Sequence, residues 1–248
     1  MVEAILREMR ALGNPAARQS MARFGIHAEN VIGLNIPQIR RIARRVGRHQ
    51  QLAEELWATG IHDARILASL VGEPAKISRS VMDRWARDFA SWDICDACCG
   101  NLFDRTPYAW QKVRKWARDP REFVRRAAFS TIAALAVHDK SAPDTVFLDA
   151  LPLIEQYAFD NRNFVRKGVN WALRNIGKRN AQLLPHAIAC AERIQAQDTP
   201  AERWIAADAL RELRSRRISA PTRGLLRVSG TTESGDTRAG PAQPDARG

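Results

Sequence analysis

The stretch Phe123-Val124-Arg125-Arg126-Ala127-Ala128 recurs 41 residues later as Phe164-Val165-Arg166-Lys167-Gly168-Val169. Both copies start with an aromatic and a β-branched residue and continue with two basic residues. A third segment, Trp204-Ile205-Ala206-Ala207-Asp208-Ala209-Leu210, follows 40 residues after the second and again combines an aromatic start with small residues. Self-similarity at a nearly fixed period predicts a chain of equivalent units that stack on one another.

The repeated unit is helical. Pairs that start helices, such as Thr106-Pro107 and Asp119-Pro120, precede stretches with apolar residues at helical spacing. These stretches are 109–118, 123–138, 145–157, 164–179 and 203–214. A helix pair that recurs about every 40 residues is typical of HEAT or armadillo units. We therefore predict an all-α fold over 1–219, a right-handed, C-shaped α-solenoid of HEAT-like repeats with a basic concave groove.

The C-terminal segment 220–248 has a different composition. Its 29 residues contain 5 of the 14 glycines and 3 of the 12 prolines. Such a composition cannot bury enough apolar surface to fold. We predict a disordered basic tail.

The charge balance points to a polyanionic partner. Lys and Arg number 39 against 27 Asp and Glu, a formal net charge of +12. Nucleic acid is the first candidate and an anionic membrane surface the second. The sequence lacks a long uncharged apolar run, and its charged N-terminus argues against a signal peptide. We expect a cytoplasmic protein without a membrane span.

The repeats predict where the positive charge lies. Stacking brings equivalent residues to one face, so Arg125-Arg126 and Arg166-Lys167 are expected to line the groove and contact a duplex backbone. Five further arginines, Arg40, Arg41, Arg44, Arg45 and Arg48, follow helical spacing after Pro37. For that stripe, a solvated helix face and a nucleic-acid contact are equally good interpretations.

The densest chemistry lies in Ser91-Trp92-Asp93-Ile94-Cys95-Asp96-Ala97-Cys98-Cys99-Gly100. In a helix, Trp92 and Asp96 stand side by side at i and i+4. Asp93, in the first turn, suits a structural role at the helix N-terminus. Burying Asp96 among apolar neighbours costs several kcal/mol unless it is paired or functional, so Asp96 is the candidate acid.

Three closely spaced cysteines raise the question of a metal site, but the sequence does not supply a complete set of ligands. Cys95 and Cys98 have the spacing of half a zinc site, but no second pair of ligands lies nearby in the sequence. We predict no metal and interpret the cysteines as small core residues.

Trp171 has two possible interpretations, since the equivalent residue in the other repeat copy is the small Ser130. It either packs in the core or stands in the groove as a platform for a sugar or base.

In their order along the chain, segment 91–96, the two repeat copies and Asn170-Trp171-Ala172-Leu173-Arg174 resemble the AlkD-type DNA alkylation repair proteins, bacterial alkylpurine DNA glycosylases built from HEAT-like repeats. The resemblance implies that Asp96 is the catalytic aspartate, that Trp92 and Trp171 are the site tryptophans and that Arg126 is the groove arginine. It also implies that Phe24 contacts DNA at a position where the family has a tyrosine.

The resemblance further implies an activity. A monomeric enzyme without cofactor would release 3-methyladenine or 7-methylguanine from duplex DNA, without flipping the base. Such purines are cationic and leave readily, so a carboxylate that stabilises the sugar cation and positions water is sufficient. Two alternatives remain open: a noncatalytic binder of damaged or branched DNA, and a HEAT-type scaffold whose basic face meets an acidic protein.

Overall fold

A computed structural model describes residues 1–24, 26 and 30–218 of the chain. Within these ranges the protein consists of fourteen α-helices and one short 3-10 helix at Phe103–Arg105. The α-helices are α1 (Val2–Leu12), α2 (Ala17–Ala22), α3 (Ile36–Val46), α4 (Gln50–Ala58), α5 (His62–Val71), α6 (Arg79–Arg87), α7 (Trp92–Asn101), α8 (Ala109–Trp116), α9 (Glu122–His138), α10 (Asp144–Leu148), α11 (Leu151–Gln156), α12 (Asn163–Arg179), α13 (Leu183–Gln195) and α14 (Pro200–Ile218). The predicted tail, 220–248, lies outside the described residues.

The helices stack in two rows. In the first row, α3, α5, α7, α9, α12 and α14 follow one another, each packed against the next. The second row contains α4, α6, α8, α10 with α11, and α13, and each of these precedes its first-row partner in the sequence. This arrangement confirms the predicted all-α solenoid. None of the helices in the described ranges is both long and apolar enough to cross a bilayer.

Aromatic rings join successive helices of the second row. Trp57 of α4 stacks on Trp85 of α6 with ring centroids 4.2 Å apart. Phe103 lies between Trp85 and Trp116 of α8, at 6.3 and 5.6 Å from them. Each buried aromatic contributes a large apolar area, so these contacts hold one repeat against the next.

The two sequence copies are neighbours in the structure. The rings of Phe123 and Phe164, equivalent in the repeat, lie 5.3 Å apart at the start of α9 and α12. Gly168 faces α9 closely, since a Cβ there would lie 3.4 Å from Cγ of Arg126. The helices α12 and α9 are thus in contact at the level of Arg126, with ordinary van der Waals distances for a Cβ at Gly168.

One predicted helix is divided. We expected a single helix over 145–157, whereas α10 ends at Leu148 and α11 begins at Leu151. Pro152, in the first turn of α11, has no N–H to donate, and its ring would clash with the carbonyl of Leu148 in a continuous helix.

The threonines that were expected to cap helices do so in one case and not in another. Thr199 forms a reciprocal capping pair with Glu202, whereas the hydroxyl of Thr106 donates to the carbonyl of Phe103 instead.

Candidate functional site

Asp96 lies on α7 and is held by two residues of α9. Its Oδ1 accepts hydrogen bonds from Nε of Arg126 at 3.0 Å and from the hydroxyl of Ser130 at 2.7 Å. Its Oδ2 accepts from Nη2 of Arg126 at 2.7 Å. The side chain of Asp96 retains 19% exposure, while Arg126 retains only 7%. The carboxylate is thus fixed by a bidentate pair and a hydroxyl, and one part of it still meets solvent.

Helix geometry explains why these three side chains meet. Arg126 and Ser130 are four residues apart on α9 and therefore share the face that packs on α7. On either side of Asp96, the thiols of Cys95 and Cys99 donate to the carbonyls of Phe123 and Ala127 on α9, each at 3.5 Å. The small thiols let the two helices pack at this contact. Burial raises the pKa of Cys95 and of Cys98, so these thiols are structural rather than reactive.

The charge of Arg126 is maintained in its buried position. Burial by itself would lower the pKa of Arg126, but the negative charge of Asp96 and the hydrogen bonds to it outweigh burial, and the pKa is raised. A third hydrogen bond runs from Nη1 to the carbonyl of Phe164 at 2.6 Å. A guanidinium has five N–H donors, so two are left for an incoming anion.

Two cavities border this ion pair. The first, which we call the basic pocket, has a volume of about 490 Å³ and contains three cationic side chains. Its lining residues are Arg23, Phe24, Trp92, Arg126, Asn163, Phe164 and Lys167. The second, the acidic pocket, has a volume of about 560 Å³. It is lined by Phe24, Trp92, Asp93, Asp96, Asn101, Arg40 and an apolar group made up of Ile26, Ile36, Ile66, Leu70 and Ala97.

Trp92 and Phe24 stand between the two pockets, since both border each of them. Nε1 of Trp92 donates to the backbone carbonyl of Phe24 at 2.9 Å. Phe24 is 66% exposed, which is unusual for a large apolar side chain. The pair forms an aromatic ridge, with cationic groups on one side and the Asp96 carboxylate on the other.

Asp93 has a structural role next to the site. It accepts hydrogen bonds from Nε2 of His62 at 2.8 Å, from the hydroxyl of Ser91 at 2.6 Å and from its own helix at the N–H of Ile94. Burial by itself would raise the pKa of Asp93. The hydrogen bonds and the charge of His62 lower the pKa by more than burial raises it, so the pKa lies below its usual value and Asp93 is ionised. Asp93 thereby ties the start of α7 to α5.

The four predicted groove cations are divided between two environments. Arg126 and Lys167 border the basic pocket, as their equivalence in the repeat suggested. The guanidinium of Arg125 instead lies 5.0 Å from the ring centre of Tyr157. It donates a hydrogen bond to the carboxylate of Asp160 at 2.6 Å. Arg166 lies 5.0 Å over the ring of Trp204. The first cation of each copy therefore packs on an aromatic ring and does not line the basic pocket.

Trp171 does not line either pocket. It is half-buried and follows Lys167 by four residues on α12, so the two share a helix face about 6 Å apart. Its interpretation as a platform for a sugar or base stays a prediction.

Sequence reasoning missed several residues of the site. Ser130 is predicted only as a small residue of the repeat, although its spacing of four from Arg126 indicates that the two share a helix face. Arg23 and Asn163 line the basic pocket, and Arg40 lines the acidic pocket, but no sequence motif includes the first two. Over the ranges that the structure describes, no group of three or more His, Cys, Asp or Glu side chains is arranged to hold a metal ion.

Comparisons with known proteins identify the family and the fold of this chain. A family model described as DNA alkylation repair enzyme matches residues 5–213. A solved structure, described as "a new family of proteins related to the HEAT-like repeat DNA glycosylases with affinity for branched DNA structures", has a TM-score of 0.70 to this chain at 23% identity. The match covers 77% of this chain and 82% of the other and confirms the predicted HEAT-like fold. No curated protein sequence matches this chain.

Proposed function

Because this chain belongs to the DNA alkylation repair enzyme family, we propose that it is a DNA glycosylase that hydrolyses the N-glycosidic bond of cationic alkylated purines in duplex DNA. Its substrates are 3-methyladenine and 7-methylguanine, and it acts as a monomer without metal or cofactor. The observation that carries this proposal is the position of Asp96, an acid fixed by Arg126 and Ser130 at the boundary of two pockets of different charge.

In this proposal Asp96 stabilises the positive charge that develops on the sugar as the base leaves. A carboxylate has about four acceptor sites, and three are used by Arg126 and Ser130, so one is left for the attacking water. Because protein groups fix the carboxylate before the reaction, it need not reorganise when the charge appears. The alkylated base is already cationic, and no general acid is required to protonate it.

The remaining site residues bind the nucleotide around Asp96. Arg126, with two free N–H donors, and Lys167 bind phosphates from the basic pocket. Trp92 contacts the sugar with its ring, and Trp171 supports the same strand one helical turn beyond Lys167. Phe24 lies against the bases from the aromatic ridge. The base stays near the stack during excision, as the family resemblance implies.

The proposal is tested by base release from methylated duplex DNA. Mass spectrometry would measure free 7-methylguanine after incubation with the wild type, with Asp96→Asn and with Asp149→Asn. Asp149 is an exposed acid of the second row and serves as the control for loss of one negative charge. Loss of one preorganised stabilising group lowers such rates by about 10²–10³, so we expect that reduction for Asp96→Asn and none for the control. Equal rates for all three proteins would exclude Asp96 from the reaction.

One observation favours a second candidate function. The Asp96 carboxylate is closely paired with Arg126, and an ion pair of this kind also serves purely to join two helices. The solved structure with the similar fold is described as having affinity for branched DNA. The second candidate is therefore a noncatalytic binder of branched DNA. It predicts no base release from the wild type and tighter binding to a four-way junction than to a linear duplex of the same length.

A further inference from the structure

Arg40 and Arg44 on α3, together with Arg48 just after the end of α3, form a row that the proposed site does not use in full. All three are exposed. Arg40 and Arg44 are four residues apart and share one side of α3, whereas Arg48 follows Gly47, where the helix has ended. Together they line a cavity of about 350 Å³ with Ala43, Gly47 and Leu70. Arg40 also lines the acidic pocket that contains Asp96. The row therefore begins at the candidate site and leads away from it.

The charges of this row are poorly compensated. Arg45, on another side of the same helix, pairs with Glu8, whereas Arg40 and Arg44 have no ion pair with any residue that the structure describes. Nη1 of Arg48 donates to the carbonyl of Gly72 at 2.5 Å, which leaves its other donors free. The pKa of Arg48 is lowered, first by burial and then by the positive charge of Arg105. The negative charges of Asp104 and Glu73 raise this pKa, but by less. An anion in this cavity would relieve the crowding of positive charge.

We propose that Arg40, Arg44 and Arg48 bind successive phosphates of one DNA strand, on the side of Asp96 opposite Lys167. The order of the first row supports the two sides, because α3 and α12 lie on either side of α7. From Arg40 to Arg44 the helix rises about 6 Å, which is close to two phosphate steps of about 3.4 Å each along the duplex axis. Arg48 lines the same cavity as these two residues. The planar guanidinium suits bidentate contact with phosphate. This inference rests on the proposed function only in taking duplex DNA as the ligand.

Salt dependence of binding tests the proposal. The triple variant R40Q/R44Q/R48Q is compared with R87Q/R114Q/R118Q, which removes the same charge from exposed arginines on or next to α6 and α8 of the second row. The dissociation constant of a fluorescently labelled 24-base-pair duplex is measured from 50 to 300 mM NaCl. Each phosphate contact contributes about 0.9 to the slope of log K against log salt. We expect the slope to fall by about 2.7 in the α3 variant and by less than 1 in the control.

Because Arg48 also bonds to Gly72, the double variant R40Q/R44Q provides a second measurement that leaves this contact intact, with an expected fall of about 1.8. Equal slopes for the α3 variants and the control would overturn the proposal, since the row would then be an ordinary solvated face. Neither measurement needs base release. If the slopes change but no protein releases base, the row stands and the glycosylase proposal fails. If the wild type releases base but the slopes of the arginine variants match the control, the glycosylase proposal stands and the proposed phosphate contacts of the row fail.

Discussion

Arg126 binds both oxygens of Asp96, with Nε 3.0 Å from Oδ1 and Nη2 2.7 Å from Oδ2. The pair links the acidic pocket, which Asp96 lines, to the basic pocket, which Arg126 lines. Three of the five N–H donors of Arg126 are used by Asp96 and by the carbonyl of Phe164, so an anion in the basic pocket has two donors to bind while the pair with Asp96 stays in place.

Replacement of Arg126 should lower the free energy of unfolding more than replacement of Asp96. Arg126→Met leaves Asp96 charged and removes the contact to the carbonyl of Phe164 as well. We expect the free energy of unfolding to fall by about 3 kcal/mol for Arg126→Met and by about 1–2 kcal/mol for Asp96→Asn. Urea denaturation measures both. In D96N/R126M the losses should be less than additive, and full additivity would contradict the coupling.

The helix content and the stacking of this chain follow from local patterns, but the division of its cations does not. Arg125 and Arg126 are adjacent in the sequence and differ by about 100° around α9. One therefore reaches Asp96, and the other reaches Asp160 and Tyr157. The repeat shows that Arg126 and Lys167 are equivalent, but it does not show how α9 is rotated between its neighbours. That rotation depends on contacts between distant helices, such as those of Cys95 and Gly168 with α9.

Ser130 should matter for the site more than for the fold. Ser130→Ala removes the hydroxyl that donates to Oδ1 of Asp96 at a fully buried position. We expect a loss of about 1 kcal/mol in the free energy of unfolding, together with slower release of 7-methylguanine, because the carboxylate is less well positioned. The control is Thr131→Val, which removes a buried hydroxyl of the same helix that donates to the carbonyl of Ala127. Equal effects of the two variants on base release would exclude a positioning role.

Lys167 and Arg125, the second cation of one repeat copy and the first cation of the other, should separate binding from stability. Lys167→Gln removes an exposed cation of the basic pocket, so we expect weaker duplex binding and a salt slope lower by about 0.9, with unchanged stability. Arg125→Gln removes a contact to Asp160 and to the ring of Tyr157, so we expect a loss of about 1–2 kcal/mol in stability with an unchanged slope. Fluorescence anisotropy and urea denaturation measure these effects. An unchanged slope in Lys167→Gln would contradict the placement of phosphate in this pocket.

Asp160 should contribute stability that depends on pH. Burial raises its pKa, but hydrogen bonds from Arg162 and Arg125 outweigh burial, and the pKa of Asp160 is lower than usual. A lowered pKa means that the stabilisation is complete above the usual value of about 3.9 and is lost as pH falls through the lower folded-state pKa. We expect Asp160→Asn to be less stable by about 2 kcal/mol at pH 7. This difference should shrink toward pH 3, and a constant difference across that range would contradict an ionised Asp160.

Phe24 should act on DNA without supporting the fold. Its side chain is 66% exposed on the aromatic ridge, and the hydrogen bond from Trp92 goes to its backbone carbonyl, which Phe24→Ala retains. We therefore expect unchanged thermal stability and, since stacking on a base contributes about 1–3 kcal/mol, duplex binding weaker by roughly 5- to 150-fold. Phe159→Ala is the matched control, because Phe159 is 52% exposed and borders neither pocket of the site. Equal affinities of the two variants would show that Phe24 does not touch the bases.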